Sequence, residues 1–380
     1  MRDAARERLE GERAALEALS HRIHAHPELA YEEEHAAAWL CEYLAGAGFA
    51  VEAGICEIPT AFAARIGSGP LHVTFCAEYD ALPVIGHACG HNLIAAMAAG
   101  AGVAAARVAD DAGLTVTVLG CPAEESGDTG GKILLLERGA FADAHAALMA
   151  HPAPDDVLRP SMIAASIFDV RYTGKEAHAA ASPEQGINAA DALTIAQVAI
   201  GLLRQSIRAT DRIHGVTTHG GDASNVIPAH TSASYMVRAA TLDQLRELEP
   251  RVRRCFEAGA LATGATLEFV GGERPYADVR HDPNLAALYQ RNAEALGRVF
   301  TDAPTYASTD LGNVSHVIPS IHPLIGVNSA PATNHQPEFA AACITPAADQ
   351  AIFDAALALA WTAIDMAGDD ALRQRLIAAR

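Results

Sequence analysis

Positive charge is scarce in this chain. Its 27 lysines and arginines stand against 46 aspartates and glutamates, a formal charge of -19 at pH 7. Such a balance repels phosphate backbones and anionic lipid surfaces, so neither nucleic acid nor membrane is an expected partner. Long hydrophobic runs are also missing: no uninterrupted apolar stretch reaches the roughly 20 residues that span a bilayer. The first residues, Met1 to Glu7, are charged where a secretory leader has an apolar core. The seven cysteines (Cys41, Cys56, Cys76, Cys89, Cys121, Cys255 and Cys343) are odd in number and scattered, which reads as reduced thiols and not as a disulfide framework. A cytosolic location is the expectation. No Ser/Pro-rich linker and no internal repeat divides the chain.

What is present is a 380-residue chain, half of it apolar, long enough for two domains and a large core. Residues Arg6 to His24 and a segment containing Trp39, Leu40 and Leu44 have helical spacing, the second stopped by Gly48. Strands are expected at Ala61 to Ile66, Leu71 to Cys76, Leu114 to Leu119 and Ala146 to Ala150. Helices are expected over Asn92 to Val108 and Gly130 to Arg138. This alternation predicts an α/β layer with helices covering a mainly parallel sheet. From about residue 165 to 278 the texture changes to α+β. Strands fall near Ile167 to Tyr172, Arg212 to Thr218, Thr231 to Arg238 and Thr266 to Val270, with helices over Ile187 to Arg204 and Leu242 to Leu261. The α/β texture resumes with the helix Asn284 to Leu296, the segment Thr305 to Gly312, the strand Pro323 to Val327 and the helix Pro346 to Met366. Residues 1–164 plus 279–380 are therefore expected to form one discontinuous domain, with 165–278 inserted.

The polar residues of the α/β part concentrate at carboxyl ends of strands. Glu78 and Asp80 follow the strand ending at Cys76, Glu124 and Glu125 follow the one ending at Leu119, and His151 follows the one ending at Ala150. In open α/β sheets the ligand crevice lies at these ends, so residues distant in sequence can converge there. Between them, Gly86-His87-Ala88-Cys89-Gly90-His91-Asn92 places a thiol and an imidazole one glycine apart. A tight turn can aim both at one borderline metal such as zinc. Taken singly, each of these groups has an ordinary reading as a solvated acid or a turn residue; their recurrence after successive strands does not.

The ordered motifs resemble those of the M20 family of metallopeptidases and amidohydrolases. They include His26-Pro27-Glu28-Leu29, Ala77-Glu78-Tyr79-Asp80-Ala81-Leu82-Pro83, the Cys89-Gly90-His91 turn, Pro122-Ala123-Glu124-Glu125 and Ala150-His151-Pro152. Downstream come Ala177-His178-Ala179, Ser224-Asn225-Val226, Ser308-Thr309-Asp310-Leu311-Gly312 and Asn334-His335-Gln336. Within the family the resemblance is to the branch of aminobenzoyl-glutamate hydrolases and dipeptidases acting on Xaa-Lys and Xaa-Arg. Asn92 and Thr309-Asp310-Leu311, where broader relatives carry aspartate and Glu-Asp-Phe, fit that branch.

The resemblance implies a zinc-peptidase-like catalytic domain with an inserted lid and dimerisation domain. It implies two divalent ions, zinc or manganese with cobalt or nickel as alternatives, held by Cys89, His91, Glu125, His151 and His335, with Cys89 bridging. Glu124 would be the general base and Asp80 would orient a ligating imidazole, while Glu78 would support the turn. His178, Asn225 and Arg238 would hold the oxyanion and the free carboxylate of a dipeptide or N-acyl amino acid. A homodimer through the inserted domain is implied. His87 drops out as a turn residue. Two other readings stand beside the dipeptidase: an N-aroyl or N-acyl amino acid amidohydrolase, and a catalytically silent metal-binding protein. Glu124 beside Glu125 speaks against the last, since a structural site has no use for a base.

Overall fold

A computed structural model describes residues 1–127, 129–302 and 307–379, so the start of the segment expected from Thr305 lies outside the described residues. The chain divides into two units, each with its own core. The first comprises Met1–Ser161, Val279–Tyr306 and Asp310–Arg380, and the second Met162–Asp278 and Ala307–Thr309.

The first unit opens with helices α1 (Arg2–His24) and α2 (Glu34–Gly46), then strands β1 (Ala50–Ala53), β2 (Phe62–Gly67) and β3 (Leu71–Ala77). Next come α3 (His91–Ala106), α4 (Ala109–Ala112), β4 (Leu114–Gly120), α5 (Gly131–Glu137), β5 (Ala146–Leu148) and β6 (His151–Ala153). The second unit holds β7 (Ala164–Thr173), α6 (Ala189–Leu203), β8 (Arg212–His219), β9 (His230–Ala239), α7 (Leu242–Thr263) and β10 (Thr266–Gly271). The first unit then resumes with α8 (Pro283–Glu294), α9 (Leu311–Ser315), β11 (Ser320–Ile321), β12 (Leu324–Gly326), α10 (Pro337–Ala342), α11 (Pro346–Gly368) and α12 (Asp370–Ala378).

The main sheet has the order β1-β2-β4-β3-β5-β11. β3 runs parallel to β4 and β5, and β5 parallel to β11, whereas β1, β2 and β4 are joined antiparallel. The sheet is thus mixed but mostly parallel, and β4 lies between β2 and β3, which are consecutive in the chain. Helix α3 explains the alanine content of its segment. It is buried from His91 to Ala105, and a Cβ added at Gly102 would lie 2.3 Å from Val118 Cγ2 on the sheet. One added at Gly100 would meet Leu16 at 2.9 Å and Ala356 at 3.0 Å, on α1 and α11. Only small side chains let one helix approach a sheet and two other helices so closely. Helix α11 is long and apolar enough to cross a membrane by composition. Yet 89% of its apolar window is buried inside the protein, as in a core helix, and it carries Asp354.

Strand β5 ends at Leu148, short of the expected Ala150, and His151 begins the separate strand β6, which pairs parallel with β12. In the second unit the antiparallel sheet β10-β7-β9-β8 is covered on one face by α6 and α7. On β9, Thr231, Ala233, Tyr235, Val237 and Ala239 are buried, while Ser232, Ser234, Met236 and Arg238 point away from that core.

Candidate metal centre and active site

The site is built at the carboxyl ends of β3 and β4 and on the loops around them. After β3, Glu78 and Asp80 are fully or almost fully buried, and the loop is tied back where Ala81 N donates to Glu28 O at 2.8 Å. Gly90 then turns with φ +80°, and a Cβ there would stand 2.5 Å from Pro152 Cγ, so the Cys-Gly-His turn needs its glycine. After β4, Ala123 adopts φ +59°, a costly conformation for a residue with a Cβ. The turn is held by Glu33, whose Oε1 accepts from Ala123 N at 2.8 Å and from Tyr31 N at 2.9 Å. Glu124 and Glu125 follow at once.

The structure brings five of the residues singled out in sequence into two groups that share one atom. The ligand atoms of Cys89, His91 and His151 lie within 4.8 Å of one another, and so do those of Cys89, Glu125 and His335. Glu78, His91 and Glu124 form a third such group. Cys89 Sγ is 3.5 Å from His151 Nε2, and His335 Nε2 is 3.2 Å from Glu125 Oε1. His91 Nε2 is 3.6 Å from Glu78, 3.8 Å from Glu124 and 4.0 Å from Glu125.

The opposite ring nitrogens are occupied. His91 Nδ1 lies 2.8 Å from Asp80 Oδ1, and His151 Nδ1 lies 2.8 Å from the carbonyl of Pro152. Both acceptors fix the tautomer and leave each Nε2 to a cation. The other oxygen of Asp80 accepts from Glu125 N at 2.8 Å. His335, at φ +68°, is anchored by its N–H to Ala88 O at 2.8 Å.

These donors fit divalent metal. His91 Nε2 is buried without a hydrogen-bond partner, and an orphaned buried polar atom is costly unless an ion or water takes it up. A thiol, imidazoles and a carboxylate are the mixed S/N/O set that borderline metals accept. Burial pushes the Cys89 thiol well above its usual range, with Glu125 adding to it. Burial together with the carboxylates of Glu78 and Glu125 does the same to Glu124. Glu125 is held below the usual carboxylate range because His335 and His91 outweigh its burial, and burial lowers His151 to about 4. Ionising the thiol and Glu124 is thus costly in this buried site, a cost that a divalent cation would offset.

Several neighbours were not assigned from sequence. Glu33 sits in the run Glu32-Glu33-Glu34, which reads as solvated, yet it is fully buried. Asn334 Nδ2 donates to Pro152 O at 3.1 Å and lies 3.4 Å from Cys89 O, stapling three loops; its place next to His335 was the available signal. His322 is fully buried with its ring stacked 5.5 Å from that of His151. His87 is buried and lowered to about 3, mainly by burial, and belongs to none of the three ligand groups.

The remaining candidates lie in the second unit. His178 is exposed, and its Nδ1 accepts from the N–H groups of Ala180 and Ala181 at 3.2 and 3.0 Å, which leaves Nε2 as the donor. Asn225 is exposed, and its carbonyl accepts from Ala179 N at 3.0 Å, which keeps the two loops together. Arg238, half-buried, donates from Nη1 to Ser308 Oγ at 2.9 Å.

Comparison with known proteins places the chain in a family. Residues 75–351 match the Peptidase family M20/M25/M40. The chain is 39% identical over 382 residues to an Xaa-Arg dipeptidase of Mus musculus, covering 95% of this chain and 88% of that protein. It is 33% identical over 281 residues to one of the subunits of the p-aminobenzoyl-glutamate hydrolase of Escherichia coli, covering 68% and 58%. Among solved structures, a putative aminohydrolase of methicillin resistant Staphylococcus aureus superposes with a TM-score of 0.78 at 20% identity, over 96% of this chain and 99% of that one. A dinuclear metal binding peptidase of the M20 family from Bacillus subtilis superposes with 0.70 at 20% identity, over 94% and 99%. At such identities these two likenesses concern the fold. The family match and the long alignment to the dipeptidase show that the chain belongs to the M20/M25/M40 peptidase family, in the branch with Xaa-Arg dipeptidases and p-aminobenzoyl-glutamate hydrolase, and is a peptidase or amidohydrolase enzyme.

Proposed function

We propose that the chain is a binuclear metal-dependent hydrolase that cleaves the amide bond of dipeptides or N-acyl amino acids. One observation carries this reading: Cys89 Sγ belongs at once to a group with His91 and His151 and to a group with Glu125 and His335, so these five residues would hold two ions with the Cys89 thiolate common to both. Zinc or manganese, with cobalt or nickel as alternatives, would supply Lewis acidity toward the scissile carbonyl and acidify a water. The chain's own groups do the rest. Asp80 orients His91 and, through its second oxygen, the main chain of Glu125. Glu124, held beside the ligands by the strained Ala123 turn, takes the water's proton and returns it to the leaving amine. His178, through its Nε2–H, and Asn225 serve the developing oxyanion, and the Arg238 guanidinium takes the substrate's free carboxylate.

The second unit is proposed as a lid and dimerisation domain. Among the described residues its sheet ends on β8 without a further strand, and it exposes Val216 there with Val198 and Leu202 on α6, apolar surface that a second copy would cover. A cytosolic location is part of the same reading, supported by seven cysteines that are all unpaired. An acidic chain tolerates a cationic leaving residue, which fits an Xaa-Lys or Xaa-Arg substrate. The likeness to the p-aminobenzoyl-glutamate hydrolase of Escherichia coli favours N-aroyl amino acids as the second reading. A panel comparing Xaa-Lys, Xaa-Glu and N-aroyl amino acids on the metal-loaded protein separates them. A kcat/KM highest for Xaa-Lys supports the dipeptidase, and one highest for N-aroyl substrates replaces it with the second reading.

A further inference from the structure

Glu78, a member of the third ligand group, also belongs to a buried ion triad that the hydrolysis proposed above leaves without a role. Lys132, one of two lysines in the chain, has no exposed side-chain surface, and neither do Glu78 and Asp310. Its ammonium stands 2.5 Å from Glu78 Oε1 and makes an ion pair with Asp310 Oδ1. Its main-chain N–H donates to the other oxygen of Asp310 at 2.8 Å. Burial alone would depress the ammonium, but the two carboxylates hold it well above its ordinary value. The geometry fixes its place. Lys132 is the second residue of α5, and Gly131 packs so tightly on the turn carrying Glu124 that an added Cβ would fall 1.9 Å from Pro122 O. Asp310 immediately precedes α9.

We propose that Lys132 is a positioning residue: locked to Asp310 at both its main-chain and its ammonium nitrogen, it holds Glu78 so that the free oxygen of that carboxylate faces His91 Nε2. The consequence follows from the distances. Glu78 Oε2 is 3.6 Å from His91 Nε2, and Glu124 Oε2 is 3.8 Å from the same nitrogen. Apart from the ammonium, Glu78 has no hydrogen-bond donor among the described residues. A carboxylate fixed there gives an ion on His91 an additional anionic neighbour and crowds Glu124 toward a single orientation. A purely structural ion pair has no need of an oxygen directed at a ligand nitrogen, and well-packed apolar residues could replace it at little cost. This role rests on the binuclear reading of the site.

The test is a cycle on the full-length protein. Lys132→Met alone strands two buried anions and risks unfolding, so it is combined with Asp310→Asn, which keeps the net charge of the triad while releasing Glu78. Glu78→Gln keeps the shape and the Lys132–Asp310 pair but removes the anion. For each variant the metal-free melting temperature, the zinc affinity against a competing chelator, and kcat and KM are measured. We expect Lys132→Met/Asp310→Asn and Glu78→Gln each to weaken the affinity for one of two ions and to lower kcat by about tenfold or more, the usual effect of removing an outer-shell support. KM stays within twofold, because Lys132 has no exposed side-chain surface with which to meet substrate. The triple variant is no worse than Glu78→Gln, because Lys132 acts through Glu78. Wild-type zinc affinity and kcat in Glu78→Gln overturn the assignment, as does an additive triple variant or a kcat loss that only follows a fall in the metal-free melting temperature. If the wild type itself binds no metal and cleaves no amide, the binuclear reading fails with it. A metal-bearing, active wild type with silent variants sinks the Lys132 role alone.

Discussion

Asp80 and His91 are joined at 2.8 Å between Oδ1 and Nδ1, and the second oxygen of Asp80 accepts the Glu125 N–H at the same distance. One buried carboxylate thus sets the direction of an imidazole and of an acid loop that lies 45 residues after Asp80 in sequence. Asp80→Ala is expected to weaken metal binding or turnover by about 10- to 100-fold. A chelator-competition titration with steady-state kinetics reads this. Unchanged affinity and kcat would show that His91 needs no orientation.

Glu33 gives a pH signature. Burial, with Asp80 adding to it, raises its carboxyl to about 7 from an ordinary 4.5. A folded-state value above the unfolded one means that the folded protein binds the proton more tightly. Stability from this group is full below about pH 4.5 and is lost as pH rises to about 7. The loss amounts to at most about 3 kcal/mol. Glu33→Gln is uncharged at every pH, so chemical denaturation of the metal-free protein at pH 5 and pH 8 should show a smaller fall for the variant than for the wild type. Parallel falls would contradict the burial of an ionisable Glu33.

Arg238 is predicted to grip the substrate's free carboxylate. Arg238→Ala should raise KM by about 10- to 100-fold, the worth of a charge-assisted hydrogen bond, on substrates with a free carboxylate and leave C-terminally amidated ones unaffected. Equal losses on both would assign Arg238 a role in folding instead.

Removing metal should lower stability as well as activity, because the carboxylates and the thiol gathered at the site lose their compensating charge. Re-addition of zinc or manganese at about a hundred times its dissociation constant should restore about 3 kcal/mol, visible as a rise in melting temperature. A melting temperature indifferent to chelator and metal would contradict a resident ion.

The sequence was most legible where pattern and chemistry coincide. The buried runs of β3 and β4 ended in acids, and the carboxyl-end rule was enough to bring Glu78, Asp80, Glu124 and Glu125 together. It was less legible where tertiary context overrides local reading. β4 inserts between β2 and β3 because strand order is decided by packing and not by loop length, and His151 starts its own short strand against β12. Lys132 and Glu33 look like surface residues in any window, since only the fold supplies the partners that make a buried charge tolerable. His335 belongs to the site by an N–H bond to Ala88, across hundreds of residues, which no periodicity encodes.

The central claim is that metal bound at the Cys89 groups and Glu124 as base together hydrolyse an amide. It is tested most directly by counting metal per chain and measuring dipeptide hydrolysis for the wild type and Glu124→Ala. The account predicts two ions per chain in both proteins, with turnover lost by about 10²- to 10⁴-fold in the variant. A wild type that cleaves the amide without metal, or a Glu124→Ala protein that turns over as fast as the wild type, would contradict it.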